Sequence, residues 1–274
     1  MITNPSFRNE NGEPKLVKSV VAFCDILGYQ ELIKKIEKNK EQEELLKLWK
    51  SLNENFVHLQ DDDSPSESSW VVKAFTDNFV IGYPLTIRQD AEAELIEIMS
   101  RLAQFQFGML CSGYVLRGAI SVGTAYVDSE IFFGSALIEA TDAEKNLALF
   151  PRMILSQSAT EHLSNAARHY GKFDQTPQSN ILLQDSDGQM FLDYLEQTIL
   201  IAEEDTGPFY EELKLHKRIV ENNLREKSES ARARVKYLWV ANYHNTFCER
   251  HQKYFDKTFL IDISEFRRMP FPRT

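Results

Sequence analysis

Apolar and polar positions alternate along the first half of the chain in patterns typical of strands and helices. The predicted elements are a strand at 16–24, a helix at about 29–59, strands at 70–75 and 78–83, and a helix at 91–111. The first strand rests on an unbroken apolar run, Val20–Cys24, and the helices on apolar residues at helical spacing. Thr76 and Asp77 separate the second and third strands, so these two strands predict a hairpin.

The second half continues with shorter elements and ends in charged helices. We predict a strand pair within 115–128, a helix after Gly134, a strand at 151–156, a helix at 158–170, a hairpin at 180–195 and two helices between 207 and 254. The leading order, strand–helix–strand–strand–helix–strand, is that of a ferredoxin-like βαββαβ core with helices packed on one face. We therefore expect one α+β domain at 1–200 and a mainly helical C-terminal extension at 201–274 packed on it.

Composition and charge narrow the classes of partner and compartment. The 274 residues carry a formal net charge of −10, which disfavours general binding to a phosphate backbone and leaves small phosphorylated ligands open. No apolar stretch is long enough to span a bilayer, and the polar start predicts no signal peptide. The three scattered cysteines and six histidines lack ligand spacing, so we expect buried free thiols and a cytoplasmic protein.

Two aspartates at strand ends are the candidates for chemistry. Asp25 ends the first strand and Asp77 lies in the hairpin turn, and a βαββ arrangement brings both to one edge of the sheet. Two carboxylates this close repel each other unless a divalent cation such as Mg²⁺ or Mn²⁺ binds between them. Gly28 follows where the chain turns into a helix, whose first amides can bind phosphate. The alternative is structural, with Asp25 as a helix cap and Asp77 as an ordinary turn residue.

Four stretches form an ordered series along the chain: "VAFCDILGY", "VVKAFTDNFVIGY", "LRGAISVG" and "FFGSALIEA". They resemble, in the same order, the motifs of class III nucleotide cyclases. The motifs of that family are an F-x-D-I-x-G-F strand end, a K-x-x-G-D hairpin, an R-x-G-I-x-x-G strand and a W-G-x-x-V-N helix. The similarity extends through about residue 156, and the "RGAIS" strand with its G-x-A-L-x-x-A helix most resembles the pyrimidine cyclases of bacterial Pycsar antiphage defence.

The resemblance implies a two-metal active site within a cyclase catalytic domain. Asp25, Asp77 and the Ile26 carbonyl would bind two Mn²⁺ or Mg²⁺ ions, and the amides of Leu27, Gly28 and Tyr29 would hold the triphosphate. The reaction would convert a pyrimidine nucleoside triphosphate, UTP favoured over CTP, into its 3′,5′-cyclic monophosphate and pyrophosphate. It also implies a head-to-tail homodimer with active sites at the interface, and a separate effector protein that senses the product.

The chain departs from the family pattern at several positions. Ile131 stands where purine cyclases carry an acidic base-reading residue, and Ile138 and Asp142 replace the usual Asn and Arg. Lys73 keeps the spacing of the base-contacting lysine and is equally explained as a solvent-facing strand residue. The residues that could replace the missing transition-state arginine are Arg117, Lys145 and Arg152.

These departures leave three rival interpretations open. One is an adenylate or guanylate cyclase that reads its base with Lys73. Another is an inactive cyclase-like dimer that binds a nucleotide as a sensor, which the missing Asn and Arg favour and the retained Asp25 and Asp77 oppose. The third is a protein-interaction domain in which both aspartates serve only as turn residues. That third interpretation leaves the ordered motif series unexplained.

Overall fold

A computed structural model of the chain describes residues 5–39, 42–59, 70–85, 91–128, 131–170, 172, 175–200, 209–227 and 230–267. The chain divides into two compact units, residues 1–194 and residues 195–274. The first unit contains a mixed β-sheet with helices, and the second is helical in its described part. The predicted α+β class is confirmed.

The sheet of the first unit contains antiparallel and parallel pairs. Its strands are β1 (Val17–Ile26), β2 (Val71–Phe75), β3 (Asn78–Pro84), β4 (Leu116–Val127), β5 (Phe132–Phe133), β6 (Met153–Leu155), β7 (Leu182–Gln184) and β8 (Met190–Leu192). They lie in the order β2-β3-β1-β4-β6-β8-β7, and β5 pairs with β4. β6 runs parallel to β4, and the other neighbouring pairs are antiparallel.

The order β2-β3-β1-β4, all antiparallel, is the strand order of a ferredoxin-like βαββαβ unit. β1 lies between β3 and β4, and helices pack on both faces of the sheet, so the apolar run of β1 is buried and Val21 and Cys24 have no exposed surface. The predicted hairpin of β2 and β3 is confirmed. The end of β1 therefore has a neighbouring strand on each side.

Helices cover both faces of this sheet. They are α1 (Tyr29–Asn39), α2 (Gln42–Phe56), α3 (Ala91–Cys111), α4 (Ser135–Asn146) and α5 (Gln157–Ala166). On one face Phe105 of α3 packs edge-to-face on Phe79 of β3, and Phe56 of α2 contacts both rings. On the other face α4 packs against β1 and β4, where Ser121 donates a hydrogen bond to the Ala136 carbonyl.

Three predicted features differ from the structure. The predicted helix at 29–59 is helical in its described residues, as α1 and α2, but its last three residues, Val57–Leu59, form a 3₁₀ turn. The predicted strand pair within 115–128 is one long strand, β4, because Gly118 and Gly123 lie inside it without forming a turn. The helices are also not confined to one face, since the small residues Ala136 and Ala140 let α4 pack closely on the second face.

Gly118 explains why β4 can lie so close to β1. A Cβ at Gly118 would lie 2.5 Å from the Cβ of Cys24 and 2.7 Å from the carbonyl oxygen of Phe23, both closer than atoms can pack. The glycine is therefore required by a close approach of two backbones, at the position beside Arg117 and opposite Cys24.

The described part of the second unit contains two long helices, as predicted for 207–254, and two short ones. Its helices are α6 (Gln197–Leu200), α7 (Tyr210–Glu226), α8 (Ala231–Arg250) and α9 (Ser264–Arg267). Where α7 meets α8, His216 and His244 are fully buried, with their Nδ1 atoms 3.0 Å apart. The Nε2 of His244 lies 2.9 Å from the Phe259 carbonyl, which can only accept, so Nε2 carries the proton and Nδ1 accepts from His216.

The remaining expectations concern thiols and membranes. Cys24, Cys111 and Cys248 are free; Cys24 and Cys248 are buried, whereas Cys111 is half-buried. Among the described residues, none of the helices combines the length and apolar character that crossing a bilayer requires.

Candidate functional site

Asp25 lies near the end of the central strand β1, which pairs with β3 on one side and with β4 on the other. It is in register with Asn78 of β3 on one side and with Arg117 of β4 on the other. The amide of the next residue, Ile26, donates a hydrogen bond to the carbonyl of Asp77 at 2.9 Å. Strand pairing alone therefore brings Asp25, Asp77 and Arg117, separated in sequence, to one end of the sheet.

Asp25 forms a bidentate ion pair with Arg117. Nε of Arg117 donates to Oδ1 of Asp25 at 3.2 Å, and Nη2 donates to Oδ2 at 3.0 Å. Both side chains are only 18% exposed, so the pair is partly shielded from water. In this conformation Arg117 is therefore the partner of Asp25, at the position where the sequence predicts a divalent cation.

Arg117 has a second acidic partner, Glu144 near the end of α4. Nη2 of Arg117 forms an ion pair with Glu144, and Nη1 lies 3.4 Å from the Ala148 carbonyl. Burial by itself lowers the pKa of Arg117, but the hydrogen bond to Asp25 and the charges of Asp25 and Glu144 outweigh it and raise that pKa above its ordinary value. Arg117 is therefore a fixed cation at this site.

Sequence reasoning missed Glu144, although its spacing contains a signal. Ala136, Ala140 and Glu144 recur every four residues on α4, and all three are buried. A charge in the buried row of a helix needs a partner of opposite sign. A cation on a strand that packs against α4 is therefore the expected partner of Glu144, and Arg117 of β4 is such a cation.

Asp77 sits in the turn between β2 and β3, where Thr76 adopts a left-handed φ of 57°. Its Oδ1 accepts hydrogen bonds from the Thr76 hydroxyl at 2.9 Å and from the side-chain amide of Asn78 at 3.0 Å. Within the described part of the chain, its second oxygen accepts no hydrogen bond. Oδ1 of Asp77 therefore stabilises the turn, and Oδ2 is available to a ligand.

The connection from β1 to α1 presents backbone amides beside Asp25. Gly28 has a φ of +81°, a conformation that favours glycine, and α1 begins at the next residue, Tyr29. The amide of Leu27 is already donated to the Val115 carbonyl at 2.9 Å, so it is not available to a phosphate. The amides of Gly28 and Tyr29 donate no hydrogen bond to any described residue, so two of the three predicted amides fit the anion-binding role.

A cleft of about 500 Å³ lies between one face of α1 and the turn that carries Asp77. It is lined by Tyr29, Gln30, Ile33, Lys34, Glu37, Thr76 and Asp77. Lys34 is the cation in this lining, and among the described residues it forms no ion pair. The cleft therefore places one cation, Lys34, and two carboxylates, Glu37 and Asp77, beside the start of α1, so an anionic ligand here would need a bound cation to balance the acidic side chains.

The other sequence candidates lie in different surroundings. Arg152 is fully buried, forms ion pairs with Asp185 and Asp187, and lies over the ring of Phe191 at 5.4 Å. Its guanidinium is committed to these partners, so it does not reach Asp25 as a substitute for the usual arginine. Lys145 is exposed at the end of α4.

The remaining positions differ in their exposure: the Lys73 amino group is buried, whereas the other three positions are open to solvent. Lys73 is half-buried on β2, paired across the ladder with Val80. Ile131 and Ile138 are 50% and 66% exposed, and Asp142 is also exposed. Of the three candidate cations from sequence, Arg117 is the one that the structure brings to Asp25.

The donor set can be tested against a divalent cation. Asp25 and Asp77 supply the hard oxygen ligands that Mg²⁺ and Mn²⁺ prefer, and Asp77 has an unused oxygen. Among the described residues no three His, Cys, Asp or Glu side chains cluster as a complete metal site. The residues fit an ion that takes its other ligands from water and phosphate, with Arg117 competing for Asp25.

The fold was compared with known proteins. The chain is similar to the crystal structure of the adenylyl cyclase CyaB from P. aeruginosa, with a TM-score of 0.45 and 14% sequence identity over 65% of this chain and 94% of that one. No protein-family model matches this chain, and no curated protein sequence matches it.

Proposed function

We propose that this chain is a nucleotidyl cyclase that converts a pyrimidine nucleoside triphosphate, UTP in preference to CTP, into the 3′,5′-cyclic monophosphate and pyrophosphate. The observation that carries the proposal is the convergence of Asp25, Asp77 and Arg117 at one end of the sheet, beside a cleft lined by Lys34. The ordered sequence motifs support the same chemistry, and the catalytic domain would lie within residues 1–200.

Different residues of the site bind different parts of a triphosphate and its metal ions. The amides of Gly28 and Tyr29 bind phosphate oxygens at the start of α1, and Lys34 balances charge on the phosphate chain in the cleft. Asp25 and Asp77, with the Ile26 carbonyl, would hold two Mn²⁺ or Mg²⁺ ions. When bound, such ions neutralise the phosphates and lower the pKa of the ribose 3′-hydroxyl.

The reaction itself forms one bond and breaks one. The ribose 3′-oxygen bonds to the α-phosphorus, the bond from that phosphorus to the bridging oxygen breaks, pyrophosphate leaves, and the hydroxyl proton passes to water. Negative charge builds up on the phosphoryl oxygens. Arg117, whose raised pKa keeps it protonated, stabilises that negative charge. This role replaces that of the arginine whose usual position is Asp142.

Exposed residues support the proposed base preference and assembly. Ile131 offers no acceptor to a purine amino group, which supports a pyrimidine substrate. Apolar side chains at Ile131, Phe133 and Ile138 are each about half exposed or more, an apolar surface that suits contact with a second copy of the chain. We infer a homodimer with active sites at its interface, and a separate effector that senses the product in antiphage defence.

The experiment is a product assay with four substrates. Purified protein is incubated with ATP, GTP, CTP or UTP and Mn²⁺, and products are identified by mass spectrometry. Cyclic UMP as the main product supports the proposal. A dominant cyclic purine would refute the pyrimidine preference while leaving the cyclase chemistry, and no cyclic product at high protein concentration would refute the cyclase.

A nucleotide sensor is the second candidate function, favoured by one observation. Arg117 already occupies both oxygens of Asp25, as in a site that binds without turning over. A sensor would bind a nucleoside triphosphate tightly in calorimetry and return it unchanged. The product assay separates the two functions directly.

A further inference from the structure

Arg117 bridges two carboxylates that come from different elements. On one side it contacts both oxygens of Asp25 from β1, and on the other it pairs with Glu144 from α4. The side chain of Glu144 is 9% exposed, half the value for its two neighbours. One guanidinium therefore serves two acidic groups, and Glu144 is the more buried of them.

The two acidic partners differ in what else they can bind. Asp25 lies at the open end of β1 beside the turn of Asp77, where the proposed function places a divalent cation. Glu144 lies on the buried row of α4, behind Arg117. A cation at Asp25 repels the guanidinium, because like charges a few ångströms apart raise each other's energy. Glu144 is then the acidic partner that Arg117 retains.

We propose that Glu144 is a positioning residue for Arg117: it holds the guanidinium at the end of β4 while Asp25 exchanges Arg117 for a divalent cation. This inference rests on the proposed function, because it requires Asp25 to bind the cation. Close packing of α4 on β1 and β4, through Ala136 and Ala140, fixes the position of Glu144 independently of Asp25. The Ala148 carbonyl adds a further contact to Arg117 from the same direction.

The exchange predicts opposite effects of two substitutions on binding of Mn²⁺ alone. In Arg117→Gln the competing cation is gone, so the full-length chain binds Mn²⁺ about tenfold more tightly without nucleotide. In Glu144→Gln the guanidinium has only Asp25 as its acidic partner, so Mn²⁺ binds several-fold more weakly. The free Mn²⁺ signal in electron paramagnetic resonance measures both affinities, and circular dichroism verifies folding.

A control and a double variant separate positioning from loss of charge. Asp142→Asn removes the same charge from an exposed position on the same helix, and we expect unchanged Mn²⁺ affinity. In the Arg117→Gln background, Glu144→Gln should have little further effect, since there is no guanidinium left to position. In turnover, Glu144→Gln should lower kcat more than it changes KM, and Glu144→Asp should restore part of it.

Each outcome decides between the alternatives. Equal Mn²⁺ affinity in Glu144→Gln and the wild type would overturn the positioning role, even if cyclic nucleotide is formed. Absence of Mn²⁺ binding by the wild type would also overturn it, because Asp25 would have no cation to exchange for. The expected Mn²⁺ shifts without any cyclic product would instead refute the proposed cyclase and keep the exchange.

Discussion

The carboxylate of Asp25 and the guanidinium of Arg117, 92 residues apart in the chain, form a bidentate hydrogen-bonded ion pair between β1 and β4. The strand register places the two residues directly opposite each other, so the contact is set by the sheet. Since Arg117 also pairs with Glu144, removal of Asp25 does not leave the arginine alone. This arrangement allows the chemistry of Asp25 to be changed without loss of the fold.

Asp25→Ala should therefore abolish turnover while the protein stays folded. The substitution removes two hydrogen bonds to a partly buried cation, and we expect a loss of roughly 3 kcal/mol in the free energy of unfolding. Product formation measured by mass spectrometry and urea unfolding measured in parallel test both expectations. Activity near the wild-type level would show that Asp25 is only the partner of a structural arginine.

Asp77→Ala should abolish turnover with a smaller effect on stability. Its side chain accepts bonds from Thr76 and Asn78 within the turn, and such local bonds contribute about 1 kcal/mol together. Asp77→Asn keeps an acceptor oxygen for the turn and removes the charge. If Asp77→Asn is as active as the wild type, Asp77 is a turn residue and not a metal ligand.

Lys34→Ala should raise KM for the nucleotide about tenfold with little change in stability. Lys34 lines the cleft beside Asp77, where it faces the proposed phosphate chain, and one charge contact of this kind is worth about 1–2 kcal/mol. Lys38→Ala is the matched control, because Lys38 is an exposed lysine on the same helix that does not line the cleft. Equal KM values for the two variants would remove Lys34 from the binding site.

Gly118→Ala should destabilise the protein and disturb the site together. The added Cβ would meet the backbone of β1 at Phe23 and the Cβ of Cys24, and overpacking of this kind costs about 1–3 kcal/mol. Adding Cys24→Gly removes one of these two clashes, so the double variant should recover part of the lost stability. Thermal unfolding of the two variants measures this, and full stability in Gly118→Ala alone would contradict the close approach.

The sequence predicted the strand pairing around the site because the pairing follows from chain order and apolar runs. Asp25 and Asp77 could be placed together in this way, since a βαββ connection leaves few alternative arrangements. The pairing of Asp25 with Arg117 could not, because it depends on the register of β4, and the sequence pattern predicts two strands where β4 is one. Glu144 was missed for a related reason, since its partner is fixed only when α4 packs on the sheet.

The second unit holds a contact that no sequence pattern indicated, the buried pair of His216 and His244. Their spacing along the chain matches no ligand motif, and only the packing of α7 on α8 brings their rings to a centroid distance of 5.0 Å. Burial lowers the pKa of His244 to about 4, and burial together with the neighbouring His244 lowers the pKa of His216 well below its ordinary value. Both rings are therefore neutral in the folded unit at neutral pH.

This pair should make the helical unit sensitive to mild acid. The unfolded histidines take up protons near pH 6.5 and the folded ones only at much lower pH, so stability is complete above pH 6.5 and falls as the pH drops from 6.5 toward 4. The slope is about 1.4 kcal/mol per pH unit for each histidine. Urea unfolding followed by Trp239 fluorescence, with Trp49 and Trp70 replaced by Phe, should give a lower midpoint at pH 5 than at pH 7.5. Replacing both histidines by Gln should flatten this dependence, and an unchanged wild-type midpoint would contradict it.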